Sequence, residues 1–288
     1  MRLRILILGA TSWLGSKILS SLSSSEDNYQ LVTTLHKTSI SLIPGIDYVD
    51  IKIPRDYEKV LQDYTPNIII NFLRGEDKEG YDIHNRIIDF CEKEGSHYIY
   101  TSSALALDGY NNIPLTESLL AKSVSHYGKF KALCEEALYE SKLNWTILRF
   151  SSLQGFCGHK FTRNEAFLNR LLNGEDIYVD SGVVQNRMFV DDMIRIVELL
   201  IKKSITGIIH IGTLDASDEI DFLRRQAKLF GYRPDRIRCS GNQRDVNLNC
   251  IPFRIYQDLG DEFKLKEEDT LKKIKGIMEF NKYKNYEC

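Results

Sequence analysis

Strand-like runs alternate along this chain with segments of helical periodicity, and this alternation constrains the fold more than any other feature. Successive strands separated by helices cannot pair as hairpins and instead form a parallel sheet that helices cover on both faces. We therefore predict an α/β fold, a doubly wound parallel sheet of the Rossmann type. The predicted strands are Leu3–Leu8, Gln30–Leu35, Ile46–Val49, Asn67–Leu73, His97–Ser102, Asn144–Arg149 and Ile208–Ile211.

The first predicted strand runs directly into a glycine-containing loop and then into a helix. Its apolar run ends at Gly9, and apolar residues at helical spacing begin at Leu14. Gly9 permits a tight turn, Gly15 lets the helix pack closely on the strand, and free N–H groups at the helix start can face a phosphate. An ordinary strand-to-helix turn is the alternative. The predicted dinucleotide contacts in this loop are Gly9, Thr11, Ser12, Trp13, Leu14 and Gly15.

The regular alternation ends near Arg149, which indicates where a second part of the chain begins. Glycines at 155, 158 and 174 interrupt the pattern beyond this point. We predict a nucleotide-binding domain over 1–150 and a smaller, mainly substrate-binding lobe over 151–288. The strand near 207–212 is expected to return to the first sheet, so that the two domains interleave. A chain of 288 residues is long enough to bury a sizeable core in this way.

Ser103, Tyr127 and Lys131 together describe a site for hydride transfer. Tyr127 and Lys131 open a predicted helix over 125–141 and share one face of it. An ammonium group one turn away favours the phenolate and is expected to lower the pKa of the tyrosine. Tyr127 could then exchange a proton with a carbonyl or alcohol, while the Ser103 hydroxyl, just past a strand, holds the substrate oxygen.

The Tyr-x-x-x-Lys pattern is weak evidence on its own, because on the order of one copy is expected by chance. A second copy, from Tyr48 to Lys52, lies in a strand-like run and shares no helix face. The alternative for the first pair is an exposed helix that carries both residues without function.

Composition agrees with a soluble enzyme. The formal net charge is −2 and the lysines are scattered, which does not suggest nucleic-acid binding. No stretch approaches transmembrane length, and the opening apolar run is too short for a signal peptide, so a cytoplasmic location is expected. The histidines lack metal-ligand spacing, and the six cysteines form no CxxC pair, so neither a metal site nor a disulfide framework is predicted.

The motifs, taken together, resemble the extended short-chain dehydrogenase/reductase superfamily. Within it the chain is most similar to dTDP-4-dehydrorhamnose reductases and related sugar-nucleotide reductases and epimerases. The similarity runs almost from end to end, to a final helix near 267–280. Besides the glycine loop, it is carried by the segments Tyr100–Gly109, Tyr127–Lys131, Asn144–Arg149, Gln185–Asp192 and Gly207–Gly212.

The resemblance implies specific roles. Ser103, Tyr127 and Lys131 would be catalytic, with Tyr127 and Lys131 also contacting the cofactor and Ser103 the substrate. Arg187 would bind the substrate diphosphate, unless it pairs with a neighbouring carboxylate. Cofactor choice is expected to depend on the residues after the second strand and after the third strand, namely His36, Lys37, Asp50 and Ile51.

The two basic residues after the second strand favour NADPH, because a cation there binds the extra 2′-phosphate. NADH remains the alternative, since a solvated loop lysine is common. Asp50 and Ile51 resemble the adenine-contacting pair of the family, although a plain aspartate at a strand end is nearly as common.

The chain departs from the family pattern at several positions. Ser12 replaces the middle glycine of the loop, Phe130 replaces a small hydroxyl residue, and Asn71–Arg74 is bulkier than its equivalent. These changes bear on cofactor affinity rather than fold. Cys157 and His159 could suggest an epimerase acid–base pair, but related epimerase-reductases carry a cysteine where this chain has Leu105.

The sequence therefore predicts NAD(P)H-dependent reduction of a 4-keto group on a nucleotide-activated deoxysugar, in the synthesis of a surface polysaccharide precursor. One alternative is epimerisation or dehydration on the same scaffold. Another is a non-catalytic, NAD(P)-binding regulatory subunit. The predicted partners are a nucleotide sugar and, as a homodimer, a second copy of the chain, with no nucleic acid and no membrane.

Overall fold

The computed structural model describes residues 2–25, 29–35, 42–53, 55–110, 113–157 and 162–284, with side chains to 278. The strands are β1 Arg4–Leu8, β2 Gln30–Leu35, β3 Asp47–Asp50, β4 Ile68–Asn71, β5 His97–Thr101, β6 Asn144–Phe150, β7 Ser152–Gln154, β8 Ile177–Gln185, β9 Arg187–Phe189, β10 Gly207–Ile211, β11 Ser217–Asp218 and β12 Ile237–Leu248. The helices are α1 Trp13–Ser23, α2 Arg55–Tyr64, α3 Lys78–Glu94, α4 His126–Glu140, α5 Arg163–Leu172, α6 Val190–Lys202, α7 Glu219–Leu229, α8 Phe253–Asp258 and α9 Glu267–Lys284.

A seven-stranded parallel sheet in the order β10-β6-β5-β4-β1-β2-β3 confirms the predicted Rossmann-type fold. Each of its strands overlaps one of the seven predicted runs. The strands β1 and β4 are almost wholly buried, as expected for central strands with both faces covered. Their register pairs Ile5 with Ile68 and Ile7 with Ile70.

The order of the strands reverses between β1 and β4. The chain runs outward from β1 through β2 to β3, and then returns to the other side of β1 as β4. Loops that follow the two central strands therefore leave in opposite directions and open a crevice beyond the carboxyl ends of the strands. Ligands of doubly wound sheets bind at such a point. The loop after β1 is the glycine loop of the sequence.

The chain divides into two compact units. The first contains residues 1–106, 121–149 and 194–209, and it holds the large sheet and its core. The second contains residues 107–120, 150–193 and 210–288. The placement of 107–120 in the second unit is a feature that the strand and helix pattern did not indicate.

The second unit has its own small sheets and core. One sheet has the order β11-β8-β12, and β7 pairs with β9 in another. An isolated bridge joins Leu115 to Cys250, which ties the 107–120 segment to the rest of the unit. Its buried apolar cluster consists of Phe167, Leu171, Ile177, Phe189, Ile220, Ala227, Phe230, Ile237 and Ile274.

Candidate active site

The glycine loop adopts the geometry that its glycines predict. Gly9 has φ of +81°, and a Cβ there would lie 2.9 Å from the carbonyl carbon and oxygen of Phe72. A Cβ at Gly15 would lie 2.3 Å from the carbonyl oxygen of Gly9. The first glycine thus allows the loops after β1 and β4 to touch, and the second lets α1 pack directly on the end of β1.

Ser12 is the N-cap residue of α1. Its φ of −76° is accessible to any residue, and its hydroxyl oxygen accepts a hydrogen bond from the N–H of Gly15 at 3.1 Å. The hydroxyl proton is not used in this bond and can still be donated. The backbone N–H groups of Trp13 and Leu14 donate no hydrogen bond within the described part of the chain. This helix start therefore fits an anionic group such as a pyrophosphate.

The expected adenine end of the cofactor site is only partly described. His36 and Lys37 lie outside the described residues. Asp50 is the last residue of β3 and is exposed, whereas Ile51 is buried and donates its backbone N–H to the carbonyl of Leu35 at 2.8 Å. The end of β3 thus lies against the end of β2, where a nucleoside would bind in this fold.

Ser103 follows β5 and directly precedes the short 3₁₀ turn Ala104–Leu107. It is buried, and its hydroxyl oxygen accepts a hydrogen bond from the N–H of Leu105 at 3.2 Å. The oxygen is held in one place by this bond, while the hydroxyl proton remains available to a ligand.

The helix that carries Tyr127 and Lys131 lies within the predicted range of 125–141 and is one residue shorter at each end. Ser125 is the N-cap residue of α4, and its hydroxyl accepts from the N–H of Gly128. A Cβ at Gly128 would lie 2.1 Å from the carbonyl oxygen of Leu105. The absence of a side chain at this position therefore brings α4 into backbone contact with the turn that follows Ser103.

Lys131 is buried, and it lies close to both the strand and the tyrosine. Its ammonium group donates to the carbonyl of Thr101 at 2.8 Å and lies 5.7 Å from the centre of the Tyr127 ring. It also lies 4.7 Å from the centre of the Tyr100 ring. Burial lowers the pKa of Lys131 to about 8.

The expectation that Lys131 lowers the pKa of Tyr127 is wrong. Burial raises the pKa of Tyr127, and the nearby carboxylate of Glu76 raises it further, while the guanidinium of Arg74 opposes both. The phenol therefore keeps its proton at neutral pH, which suits a proton donor. The effect of Arg74 and Glu76 on the pKa of Tyr127 was not evident in the sequence, because both residues lie in the loop after β4, far from Tyr127 along the chain.

A cavity of about 390 Å³ opens in the first unit beside Lys131. Its wall includes Asn71, Leu73, Arg74, Tyr100, Phe130 and Lys131. The side chains of the bulky stretch Asn71–Arg74, at the end of β4, have different surroundings. Asn71 donates to the hydroxyl of Tyr98 at 2.7 Å and Phe72 is buried, whereas Leu73 and Arg74 face the cavity. Phe130 narrows the same space from α4.

A buried histidine on this wall was also missed. The ring of His84 contacts the hydroxyl of Tyr98 at 3.0 Å and the carbonyl of Cys134 at 2.9 Å. Burial lowers its pKa to about 4, so the ring is neutral at physiological pH and does not serve as an acid there. The sequence carried a signal for its burial, because Ile87, Ile88 and Cys91 follow it at helical spacing.

Arg187 requires a correction. Its guanidinium group is fully buried in the second unit and forms ion pairs with Glu219 and Glu267, both at 2.6 Å. It also stacks over the ring of Phe222 at 4.4 Å. The alternative stated above, an arginine paired to carboxylates, is what the structure contains. Binding a diphosphate would require these pairs to break, so Arg187 is not retained as a substrate ligand.

The remaining features concern Cys157, His159, metal sites and membrane spans. Cys157 is partly buried and its backbone N–H donates to the side chain of Glu165, while His159 lies outside the described residues. Where side chains are described, no group of three or more His, Cys, Asp or Glu residues could hold a metal ion. In the same part of the chain no helix combines the length and apolar character that a membrane span requires.

One family model matches most of the chain, including the glycine loop and α4. The model of the NAD-dependent epimerase/dehydratase family matches residues 5–212. The chain belongs to this family. It is by this membership an NAD(P)-dependent enzyme of the extended short-chain dehydrogenase/reductase type. No curated protein sequence matches it significantly.

Solved structures of low sequence identity share the fold. A dTDP-glucose 4,6-dehydratase from Bacillus anthracis in complex with NAD has a TM-score of 0.82 at 17% identity, over 98% of each chain. A dTDP-4-dehydrorhamnose reductase from the same organism in complex with NADP has a TM-score of 0.76 at 16% identity, over 95% of this chain and 99% of the other. A UDP-glucose 4-epimerase from Thermotoga maritima has a TM-score of 0.71 at 18% identity, over 86% and 89%.

Proposed function

We propose that this protein reduces a 4-keto group on a nucleotide-activated deoxysugar, with NADPH as the preferred cofactor. The observation that carries the proposal is the backbone contact of Gly128 with Leu105, because it brings the helix of Tyr127 and Lys131 to the turn of Ser103. The similar structures support the class of cofactor and of substrate, because two of them carry NAD or NADP and the names of all three specify nucleotide sugars. We further propose that it acts in the cytoplasm as a homodimer, in the synthesis of a surface polysaccharide precursor.

The three residues have distinct tasks in this reaction. Nicotinamide, when bound, supplies the hydride that adds to the carbonyl carbon. The Ser103 hydroxyl donates to the carbonyl oxygen and orients it, and Tyr127 gives that oxygen its phenolic proton. The ammonium group of Lys131 donates one of its three N–H groups to Thr101, and the other two can donate to the ribose hydroxyls. Its positive charge also stabilises the phenolate that remains on Tyr127.

Epimerisation is less well supported than reduction. The turn after Ser103 places Leu105 where related epimerase-reductases carry a cysteine, and an aliphatic side chain cannot exchange a proton. Dehydration would give a product that differs in mass from both the substrate and the reduced sugar, whereas epimerisation would change neither the mass nor the amount of NADPH.

The direct test is turnover of the purified protein with dTDP- and UDP-linked 4-keto-6-deoxysugars. We expect oxidation of NADPH to match formation of a product two hydrogens heavier, read by absorbance and by mass spectrometry. NADPH should bind more tightly than NADH, and the preference should shrink at high salt if Lys37 contacts the 2′-phosphate. Dinucleotide binding without turnover of any such sugar would contradict the reductase and favour the non-catalytic, NAD(P)-binding regulatory subunit.

A variant at Ser12 measures what its hydroxyl contributes to the cofactor site. Ser12→Gly removes the N-cap bond to Gly15, which costs only a few tenths of a kcal/mol when glycine is the replacement. If the hydroxyl proton is donated to a phosphate oxygen, NADPH binding should weaken about 10- to 100-fold, as for loss of a hydrogen bond to a charged group. Calorimetric dissociation constants of both proteins decide the point. Tighter binding by Ser12→Gly would show that the serine is merely tolerated.

The buried ammonium of Lys131 predicts the pH dependence of the reaction. Because its pKa is about 8 and only the protonated form carries the required charge, kcat/KM should fall above that pH. The slope should approach tenfold per pH unit, since kcat/KM reports ionisation of the free enzyme. Tyr127 remains protonated through this range because its own pKa is raised. A profile of kcat/KM that stays flat to about pH 9.5 would contradict this role of Lys131.

A further inference from the structure

A cluster of buried polar side chains lies behind the catalytic residues and takes no part in the chemistry described so far. We call Ser102, Glu135, Tyr139 and Arg149 the Glu135 cluster. The carboxylate of Glu135 and the guanidinium of Arg149 are fully buried and paired, with Arg149 Nε at 3.0 and 3.1 Å from the two carboxylate oxygens. The hydroxyls of Ser102 and Tyr139 both donate to the same carboxylate.

The cluster joins the elements that carry the catalytic residues. Glu135 lies on α4 one turn beyond Lys131, and Arg149 lies on β6. Ser102 directly precedes Ser103 at the end of β5, and its backbone N–H donates to the carbonyl of Leu148 at 2.8 Å. The Glu135 carboxylate therefore holds the residue next to Ser103 from the same helix that presents the tyrosine and the lysine.

Three successive turns of α4 contact the end of β5 and the turn that follows it. Gly128 meets Leu105, Lys131 donates to Thr101, and Glu135 accepts from Ser102. The first contact is steric, whereas the other two are directional. A slide or rotation of the helix would leave a buried carboxylate and a buried guanidinium without their partners, which a low-dielectric interior strongly disfavours.

Stability alone does not explain such a cluster. Well-packed apolar side chains of similar volume often stabilise a core as well as a buried ion pair does, because the pair must first be desolvated. Apolar contacts, however, do not specify a unique register as hydrogen bonds between charged groups do. The Glu135 cluster fixes the orientation of α4 relative to the end of β5. A displacement of the catalytic side chains by about 1 Å would slow proton transfer.

We propose that Glu135, with Arg149 as its counter-ion, is a positioning residue that sets Tyr127 and Lys131 against Ser103 through its bond to Ser102. The proposal rests on the proposed reductase function for its kinetic test. The contacts from which it is argued do not depend on which substrate is reduced.

The decisive comparison uses two variants that each remove one hydroxyl from the same carboxylate. Ser102→Ala cuts the link to β5. Tyr139→Phe instead cuts the bond to Glu135 within α4 and the bond that the tyrosine hydroxyl accepts from Arg149 at 2.8 Å, and it leaves Ser102 bonded. Glu135 keeps its ion pair with Arg149 in both. We expect Ser102→Ala to lower kcat about 10- to 100-fold with KM and the NADPH dissociation constant within about threefold of wild type. Tyr139→Phe should leave all three within about threefold.

Unfolding midpoints and hydrogen exchange complete the test. If both variants lower kcat equally, or if kcat falls only in step with the unfolding midpoint, the cluster is merely structural and the proposal is wrong. If wild type turns over no 4-keto sugar, the proposed function fails instead, and amide exchange decides the positioning. Faster exchange at 103–107 and 126–131 in Ser102→Ala, but not in Tyr139→Phe, would then support it, and equal exchange in the two would overturn it.

Discussion

Replacement of Tyr127 by phenylalanine is expected to lower kcat by about 10²- to 10⁴-fold, the usual contribution of a positioned general acid. The ring, its burial and its distance from the Lys131 ammonium are retained, and only the proton that the keto oxygen receives is lost. Binding of NADPH should therefore change little. Steady-state kinetics with a 4-keto sugar nucleotide, together with a calorimetric dissociation constant, measure both quantities.

The second Tyr-x-x-x-Lys copy supplies the control for this experiment. Tyr48 lies in β3, and its hydroxyl accepts a hydrogen bond from the backbone N–H of Ile43 at 2.8 Å. Tyr48→Phe removes one hydroxyl far from any proposed chemistry, so kcat should stay within about threefold of wild type. Near-normal turnover by Tyr127→Phe would exclude that residue as the proton donor, whatever the control shows.

Gly15→Ala is expected to damage both stability and cofactor binding, because the new methyl group would lie 2.3 Å from the backbone oxygen of Gly9. A backbone oxygen at that distance cannot rotate away, so α1 must move off β1. Overpacking of this kind costs about 1 to 3 kcal/mol in the free energy of unfolding. The displaced helix start should also weaken NADPH binding about 10- to 100-fold, since its N–H groups no longer point at the pyrophosphate.

A helical glycine without neighbours provides the matched substitution. A Cβ at Gly276 in α9 would meet no atom within 4 Å. Because alanine is the better helix former by up to about 1 kcal/mol, Gly276→Ala should be neutral or slightly stabilising and should bind NADPH normally. Urea denaturation and calorimetry of the two variants test the contrast. Unchanged NADPH affinity in Gly15→Ala would contradict the assignment of the loop to the dinucleotide.

Much of the fold could be predicted because the signals are local. The seven predicted strands each overlap a strand of the central sheet, and α4, predicted over 125–141, runs from His126 to Glu140. Strand length, helical spacing and capping serines are properties of neighbouring residues, so a single sequence displays them. Strand bounds differ by one or two residues at several ends. The predicted run Asn67–Leu73, for example, shortens to Ile68–Asn71, since the polypeptide leaves the sheet at the crevice.

The site was predicted less completely, because it depends on which distant residues become neighbours. Arg187 was expected to reach a ligand, yet it is enclosed by Glu219 and by Glu267, which is 80 positions away in sequence. The pKa of Tyr127 was expected to fall because of a lysine one turn away. It rises instead, because burial outweighs the opposing charge of Arg74.

The sequence by itself determined the alternation of strands and helices, the glycine loop and the helical face that Tyr127 shares with Lys131. Only the tertiary structure decided which side chains lose their water and which charges then face one another. Desolvation is a property of packing among segments far apart in the chain, and it sets the pKa of Lys131 and the pairing of Arg149 with Glu135. Local pattern specifies the elements, whereas burial specifies the electrostatics of the residues they carry.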